Sequence, residues 1–151
     1  ETEVYILLTS SYLMLDRYEE ALSASRKAVE LSPDLKEVVQ TYAICEIIAG
    51  SPDKAYNALH GLLMTMPDYP PAILLLAVFF GIQGQVEKVR DLFTLLSNKR
   101  FNLTPSLNTI AKQLHTNKRN RESISVLRVA IENRMSNQET IDLLEMVEKT
   151  I

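Results

Sequence analysis

Small or helix-breaking residues recur along this chain at a fixed spacing. Three pairs are each 34 residues apart: Ala21 and Ala55, Pro33 and Pro67, and Gly50 and Gly84. A fixed period of this length is typical of repeat architectures, in which one supersecondary unit stacks on the next. The chain has only four Gly and six Pro and is rich in Leu, Ala, Ile, Glu and Lys, which favours helices. The spacing therefore predicts a stack of helix pairs.

The first unit carries the most detailed pattern. The stretch YILLTSSYLMLDRYEEALSASRKAVELSP has an aromatic–x2–Leu, Tyr, Ala, Ala, Pro order formed by Tyr5, Leu8, Tyr12, Ala21, Ala28 and Pro33. This order resembles the tetratricopeptide-repeat family, a helix–turn–helix repeat of about 34 residues. The resemblance implies that the aromatic, Leu and Ala positions belong to the core. It also implies that the first helix of each repeat lines a concave groove.

The resemblance extends over essentially the whole chain. We expect an all-α fold, a right-handed superhelical solenoid of antiparallel helix pairs with about nine helices. One domain, 1–151, would hold four repeats and a C-terminal capping helix. Their predicted bounds are 2–35, 36–69, 70–103 and 104–136 for the repeats and 137–150 for the cap, whose polar outer side would cover the end of the stack. Because the sequence opens on Glu1, we expect a fragment of a longer protein.

The turns between helices contain recognisable start and stop residues. Capping boxes are predicted where an acid or Ser precedes Glu by three residues, at Asp16 and Glu19, Asp34 and Glu37, and Ser136 and Glu139. Gly50 is predicted to end the third helix in the left-handed conformation that glycine tolerates.

Composition argues against several functional classes. His60 and His115 have no acid or thiol at a catalytic spacing, and the sequence has no glycine-rich phosphate loop or metal-ligand pattern. We therefore expect no enzyme, no cofactor and no metal. The one cysteine, Cys45, lies in an apolar run and is predicted to be a buried small hydrophobe.

The most apolar stretch, Pro70 to Ile82, is too short to cross a bilayer, which needs about 20 residues. It is predicted to be a buried core helix, with no membrane insertion. No signal peptide is visible, and the predicted location is the cytoplasm.

The resemblance assigns the ligand-facing positions of each first helix to a predicted partner-binding groove. Its predicted members are Ile6, Ser10, Leu13, Gln40, Ile44, Ile47, Ile48, Leu74, Val78, Ile82, Asn108 and Lys112, with His115 beside them. Relatives that hold acidic chaperone C-termini use a clamp of Lys, Arg and Asn. Here the corresponding positions are Ile6, Ser10, Thr41, Pro71 and Leu75, so that clamp is missing.

An apolar groove without a clamp suits a hydrophobic protein segment. The main hypothesis is accordingly a protein–protein interaction module, an adaptor or chaperone-like scaffold, that binds an apolar helix or extended segment of a partner. The first alternative is a structural segment of a larger scaffold with self-association, for example a homodimer through the same apolar strip.

The second alternative rests on charge. The 30 residues 92–121 contain no acid, and five cations define a predicted basic edge: Lys99, Arg100, Lys118, Arg119 and Arg121. Such an edge could contact nucleic acid or an acidic partner. The net charge of −3 and the pI near 5.4 argue against nucleic acid, and a solvated edge is the simpler interpretation.

Overall fold

The computed structural model describes residues 1–98 and 102–151. These residues form α-helices joined by short turns, and no strand occurs among them. The helices are α1 (Thr2–Met14), α2 (Tyr18–Leu31), α3 (Lys36–Ala49), α4 (Pro52–Thr65), α5 (Pro70–Ile82), α6 (Val86–Asn98), α7 (Thr104–Thr116), α8 (Asn120–Glu132) and α9 (Gln138–Glu148). The predicted all-α helical repeat fold is confirmed.

The predicted details of the helix ends are wrong in several places. Asp16 does not cap α2: its φ is +57°, it lies one residue before the N-cap, and its carboxylate accepts a hydrogen bond from the Tyr18 hydroxyl. The N-cap of α3 is Leu35, which makes no side-chain capping bond. The box at α9 is shifted by one residue, because Asn137 and Thr140 form it.

Gly50 ends α3 as predicted, but for a different reason. Its φ of −121° is not left-handed. A Cβ at this position would instead lie 2.0 Å from Oε1 of Glu46. Glycine is therefore required here by the space that the buried carboxylate occupies.

The chain divides into two compact units, which we call unit 1 (Glu1–Leu75) and unit 2 (Leu76–Ile151). In unit 1, α1 packs against α2 and α3, α2 against α3, and α3 against α4. Three alanines are fully buried: Ala21, Ala43 and Ala55. Their small side chains let the paired helices approach closely.

In unit 2, α7, α8 and α9 pack against one another. The buried hydroxyl of Ser123 donates to the carbonyl of Ala111 at 2.7 Å, so small residues again mark a close approach of two helices. No helix among the described residues is long and apolar enough to cross a membrane.

Candidate functional site

The predicted groove positions of unit 1 fall into two sets. Ile6, Leu13, Gln40 and Ile44 are partly accessible and Ser10 is exposed. Leu13 packs on the buried cluster of Ala21, Leu22 and Cys45. Gln40 accepts a hydrogen bond of 2.6 Å from the hydroxyl of Tyr69. These five residues keep surface that a partner could contact.

Ile47, Ile48 and Leu74, the other predicted groove positions of unit 1, are buried. Ile47 and Ile48 have no accessible surface at all. Their apolar side chains belong to the core, and the prediction that they line an accessible groove is corrected. Cys45, predicted to be buried, lies in the same core, where burial raises the pKa of its thiol to about 12.

Asn108, in unit 2, is held in a buried polar network. Its Nδ2 donates to Oδ1 of Asn137 at 3.0 Å, and its Oδ1 accepts from the Thr140 hydroxyl at 2.8 Å. Asn137 and Thr140 form the capping box of α9. Asn108 is therefore a structural residue that fastens α9 to α7, and its assignment to an accessible groove is corrected.

The remaining predicted positions of unit 2 differ in exposure. Val78 is buried, so its assignment to an accessible groove is corrected as well, whereas Ile82 is half-buried and Lys112 is exposed. His115 is half-buried, with its Nδ1 2.7 Å from Oδ1 of Asn120.

Two residues of the predicted basic edge, Lys99 and Arg100, lie outside the described residues. The other three surround the start of α8. Lys118 and Arg121 are exposed and border a shallow cleft that also contains Glu122, whereas Arg119 is half-buried. An acid thus lies beside the cations that the sequence grouped together.

The most exposed apolar surface of unit 1 is one that the predicted groove does not include. We call it the α1 outer face: Val4, Leu7, Leu8, Met14 and Leu15. Met14 is 85% exposed and Leu7 is 68% exposed. The five positions share one side of a helix with 3.6 residues per turn. Leu8, predicted to belong to the core, is 38% exposed, and that assignment is wrong.

The α1 outer face continues into an open cleft between α1 and α2. The cleft has a volume of about 460 Å³. Its lining residues are Glu1, Val4, Tyr5, Leu8, Lys27, Glu30 and Leu31. Leu31 is 47% exposed and extends the apolar surface from α1 onto α2. The cleft therefore has an apolar floor and a charged rim.

Unit 1 also buries one carboxylate, Glu46. Arg26 donates from Nε to Oε2 at 3.1 Å and from Nη2 to Oε1 at 3.0 Å, and the Ser51 amide donates to Oε1 at 3.1 Å. Burial by itself raises the pKa of Glu46. The hydrogen bonds from Arg26, Ser51 and Tyr42 outweigh it and hold the pKa below its ordinary value of 4.5.

Arg26 and the buried Glu46 therefore form an ion pair with a structural role. Burial, followed by the hydrogen bond to Glu46, raises the pKa of Tyr42 to about 12. Within the described part of the chain, no three His, Cys, Asp or Glu side chains are grouped so as to hold a metal ion.

Comparison with known proteins bears on the fold. No family model matches the chain, and no curated protein matches it. A solved structure of a mutant of MamA, a tetratricopeptide-like protein, is similar to it with a TM-score of 0.59 and 14% sequence identity. The likeness covers 99% of this chain and 87% of that one. The chain thus has an all-α helical repeat fold similar to that of MamA.

Proposed function

We propose that this chain is a protein-interaction module of the tetratricopeptide type, which binds an apolar helix or segment of a partner protein. The helical repeat fold supports this, since stacked helix pairs present extended surfaces for binding. The positions of Tyr5, Tyr12, Ala21 and Ala28 support the repeat assignment, because the two alanines are buried and the two tyrosines are partly buried.

The α1 outer face is the observation that carries the proposal. Soluble monomers rarely expose contiguous apolar patches of more than a few hundred Å² without a function. Four large apolar side chains on α1 and Leu15 at its C-cap are exposed, with Leu31 beside the first of them, and together they form an apolar surface that calls for a partner. An amphipathic helix could lie along it and place large apolar side chains in the α1–α2 cleft.

The accessible part of the predicted groove is a second surface for the same function. Ile6, Ser10, Leu13, Gln40 and Ile44 keep solvent contact in unit 1. They are less apolar as a group than the α1 outer face, and Leu13 already packs on the core. We therefore place the main contact on the α1 outer face and a subsidiary one at these five residues.

The proposal is tested by affinity capture with matched variants. Leu7→Gln with Met14→Gln removes apolar surface from the α1 outer face, because glutamine keeps a similar length and a good helix propensity. Ile6→Gln with Ile44→Gln does the same in the groove. Met64→Gln with Leu95→Gln, at exposed positions on α4 and α6, is the matched control.

We expect proteins retained by the wild type and by the control to be lost with the α1 variant and reduced with the groove variant. Circular dichroism should show the same helix content in all four proteins. Retention of one set of proteins by every variant would contradict the proposal, and so would the absence of any specifically retained protein.

A further inference from the structure

The charges around the α1 outer face are mainly acidic. Helix α1 contains one charged residue, Glu3, and its N-cap is Glu1. Glu1 and Glu30 line the α1–α2 cleft, where Lys27 is the counter-charge. All four side chains are exposed, and in the described part of the chain none of them is in an ion pair.

Helix α2 and its N-cap carry two other cations, and each of them already pairs with an acid. Arg17 pairs with Glu20, and Arg26 pairs with the buried Glu46. The surface beside the α1 outer face therefore keeps three acids against one base. Unit 1 as a whole has five Lys or Arg and 11 Asp or Glu, a net charge of −6.

The spacing of the apolar residues also specifies a shape. Val4, Leu8 and Leu15, with Ser11 between them, follow one another at intervals of four, three and four residues. This is the alternation of a helix–helix seam. Leu7 and Met14 widen the seam on one side. A partner helix with the same alternation would match the seam along its length of about 17 Å, at 1.5 Å per residue.

We propose that the partner of the α1 outer face is a basic amphipathic helix, with an apolar stripe against α1 and Lys or Arg on its flanks. This rests on the proposed function and names the chemistry of its partner. Cations one turn from the stripe would meet Glu1, Glu3 and Glu30. Opposite charges across an interface favour association and choice of partner.

A second copy of the chain fits this surface poorly. Two α1 outer faces packed together would bring two units of net charge −6 into contact, and like charges across an interface are unfavourable. On α9, Ile141 and Met146 are exposed beside Glu139, Asp142 and Glu145. That helix would also oppose acids to acids. Charge therefore favours a basic partner over a second copy that docks through its own α1 outer face or through α9.

The test uses two synthetic helical peptides of 21 residues with one Leu stripe, flanked by Lys in the first and by Glu in the second. Binding to the whole chain is followed by fluorescence anisotropy. We expect the Lys peptide to bind at least about tenfold more tightly, with a preference that shrinks as salt increases. Leu7→Gln with Met14→Gln should weaken its binding about tenfold or more.

A charge variant isolates the new claim from the proposed function. Glu3→Lys with Glu30→Lys keeps the apolar seam, so both peptides should bind, and the preference should reverse in favour of the Glu peptide, because the local balance becomes one acid against three bases. Equal binding of both peptides to the wild type, lost in Leu7→Gln with Met14→Gln, would overturn the basic partner and leave the proposed function standing.

Two other results would also overturn the inference. One is no binding of either peptide up to millimolar concentration, which counts against the proposed function as well. The other is a concentration-dependent dimer in sedimentation equilibrium that Leu7→Gln with Met14→Gln abolishes, since a second copy would then occupy the surface.

Discussion

Arg26 on α2 donates two hydrogen bonds of 3.0 and 3.1 Å to the buried carboxylate of Glu46 on α3. The Arg26 side chain is 43% exposed, whereas the Glu46 side chain has no accessible surface. The pair is therefore asymmetric: losing Arg26 would leave a charge inside the protein, and losing Glu46 would leave a charge that water can reach.

This asymmetry predicts unequal effects of two substitutions. Arg26→Met should lower the free energy of unfolding by about 2–3 kcal/mol, less than the 3–5 of a fully buried pair, because Ser51 and Tyr42 still bond to the carboxylate. Adding Glu46→Met should restore part of the loss, since the unpaired charge is then gone. Urea denaturation of the single and double variants measures both. A double variant less stable than Arg26→Met would contradict this account.

The lowered pKa of Glu46 predicts a pH dependence with a definite sign. A carboxyl whose pKa is lower in the folded state stabilises the protein above its ordinary pKa of 4.5, and that stability is lost as the pH falls through the folded value. The wild type should therefore lose stability below about pH 4.5 more steeply than Glu46→Gln. Thermal melts between pH 3 and pH 7 compare the two slopes. Equal slopes for the two proteins would show that Glu46 does not cause the loss of stability at low pH.

Gly50 and Glu46 should be coupled. A Cβ at residue 50 would meet Oε1 of Glu46 at 2.0 Å, so Gly50→Ala should cost on the order of 1–3 kcal/mol through overpacking. In a Glu46→Ala background the contacts with the carboxylate are absent, and only the 3.3 Å approach to the Cα of residue 46 remains. The same substitution should then be neutral or stabilising by about 0.5 kcal/mol, because alanine restricts the unfolded chain. The coupling energy comes from a double-mutant cycle by denaturation, and equal costs in both backgrounds would rule out the clash.

Asn108 should determine the local stability of α9. Asn108→Leu leaves the buried Thr140 hydroxyl and the Asn137 side chain without their partner on α7, which should cost about 2–3 kcal/mol. Amide hydrogen exchange should become faster in α9 before it does so in α1 to α4. Lys112→Leu, at an exposed position on α7, is the control and should leave exchange unchanged. Uniform acceleration in all helices would contradict a local role.

The helices were predictable from sequence because their boundaries depend on local chemistry. Pro52 and Pro105 lie in the first turns of α4 and α7, where proline is tolerated. The capping residues were less predictable. Asp16 has the spacing of a cap, but its left-handed backbone comes from the way the chain turns between α1 and α2.

The candidate site was harder to predict because α1 and α3 are apolar on nearly every side. Periodicity indicates a buried face only when the opposite face is polar. In α1, the periodicity does not indicate that Leu7 and Leu8 face outward. In α3, it does not indicate that Ile47 and Ile48 face inward. That choice is made by the neighbouring helices. Glu3 and Glu30 were visible in the sequence, but the position of Glu30 beside the α1 outer face depends on the packing of α2 against α1.

The turn between α7 and α8 offers a backbone prediction in the basic edge. Lys118 has a φ of +62°, a left-handed conformation that costs a residue with a Cβ about 1–2 kcal/mol. Lys118→Gly should therefore stabilise unit 2 by about 0.5–1 kcal/mol. The substitution removes the backbone strain, and the greater freedom that glycine gives the unfolded chain offsets part of this gain.

Gly84 is the matched position, because its φ is +75° and nothing lies within 4 Å of an added Cβ. Gly84→Ala should destabilise by about 1 kcal/mol through the backbone alone. Thermal denaturation measures both changes, and a destabilised Lys118→Gly would mean that the lysine side chain itself contributes to the fold.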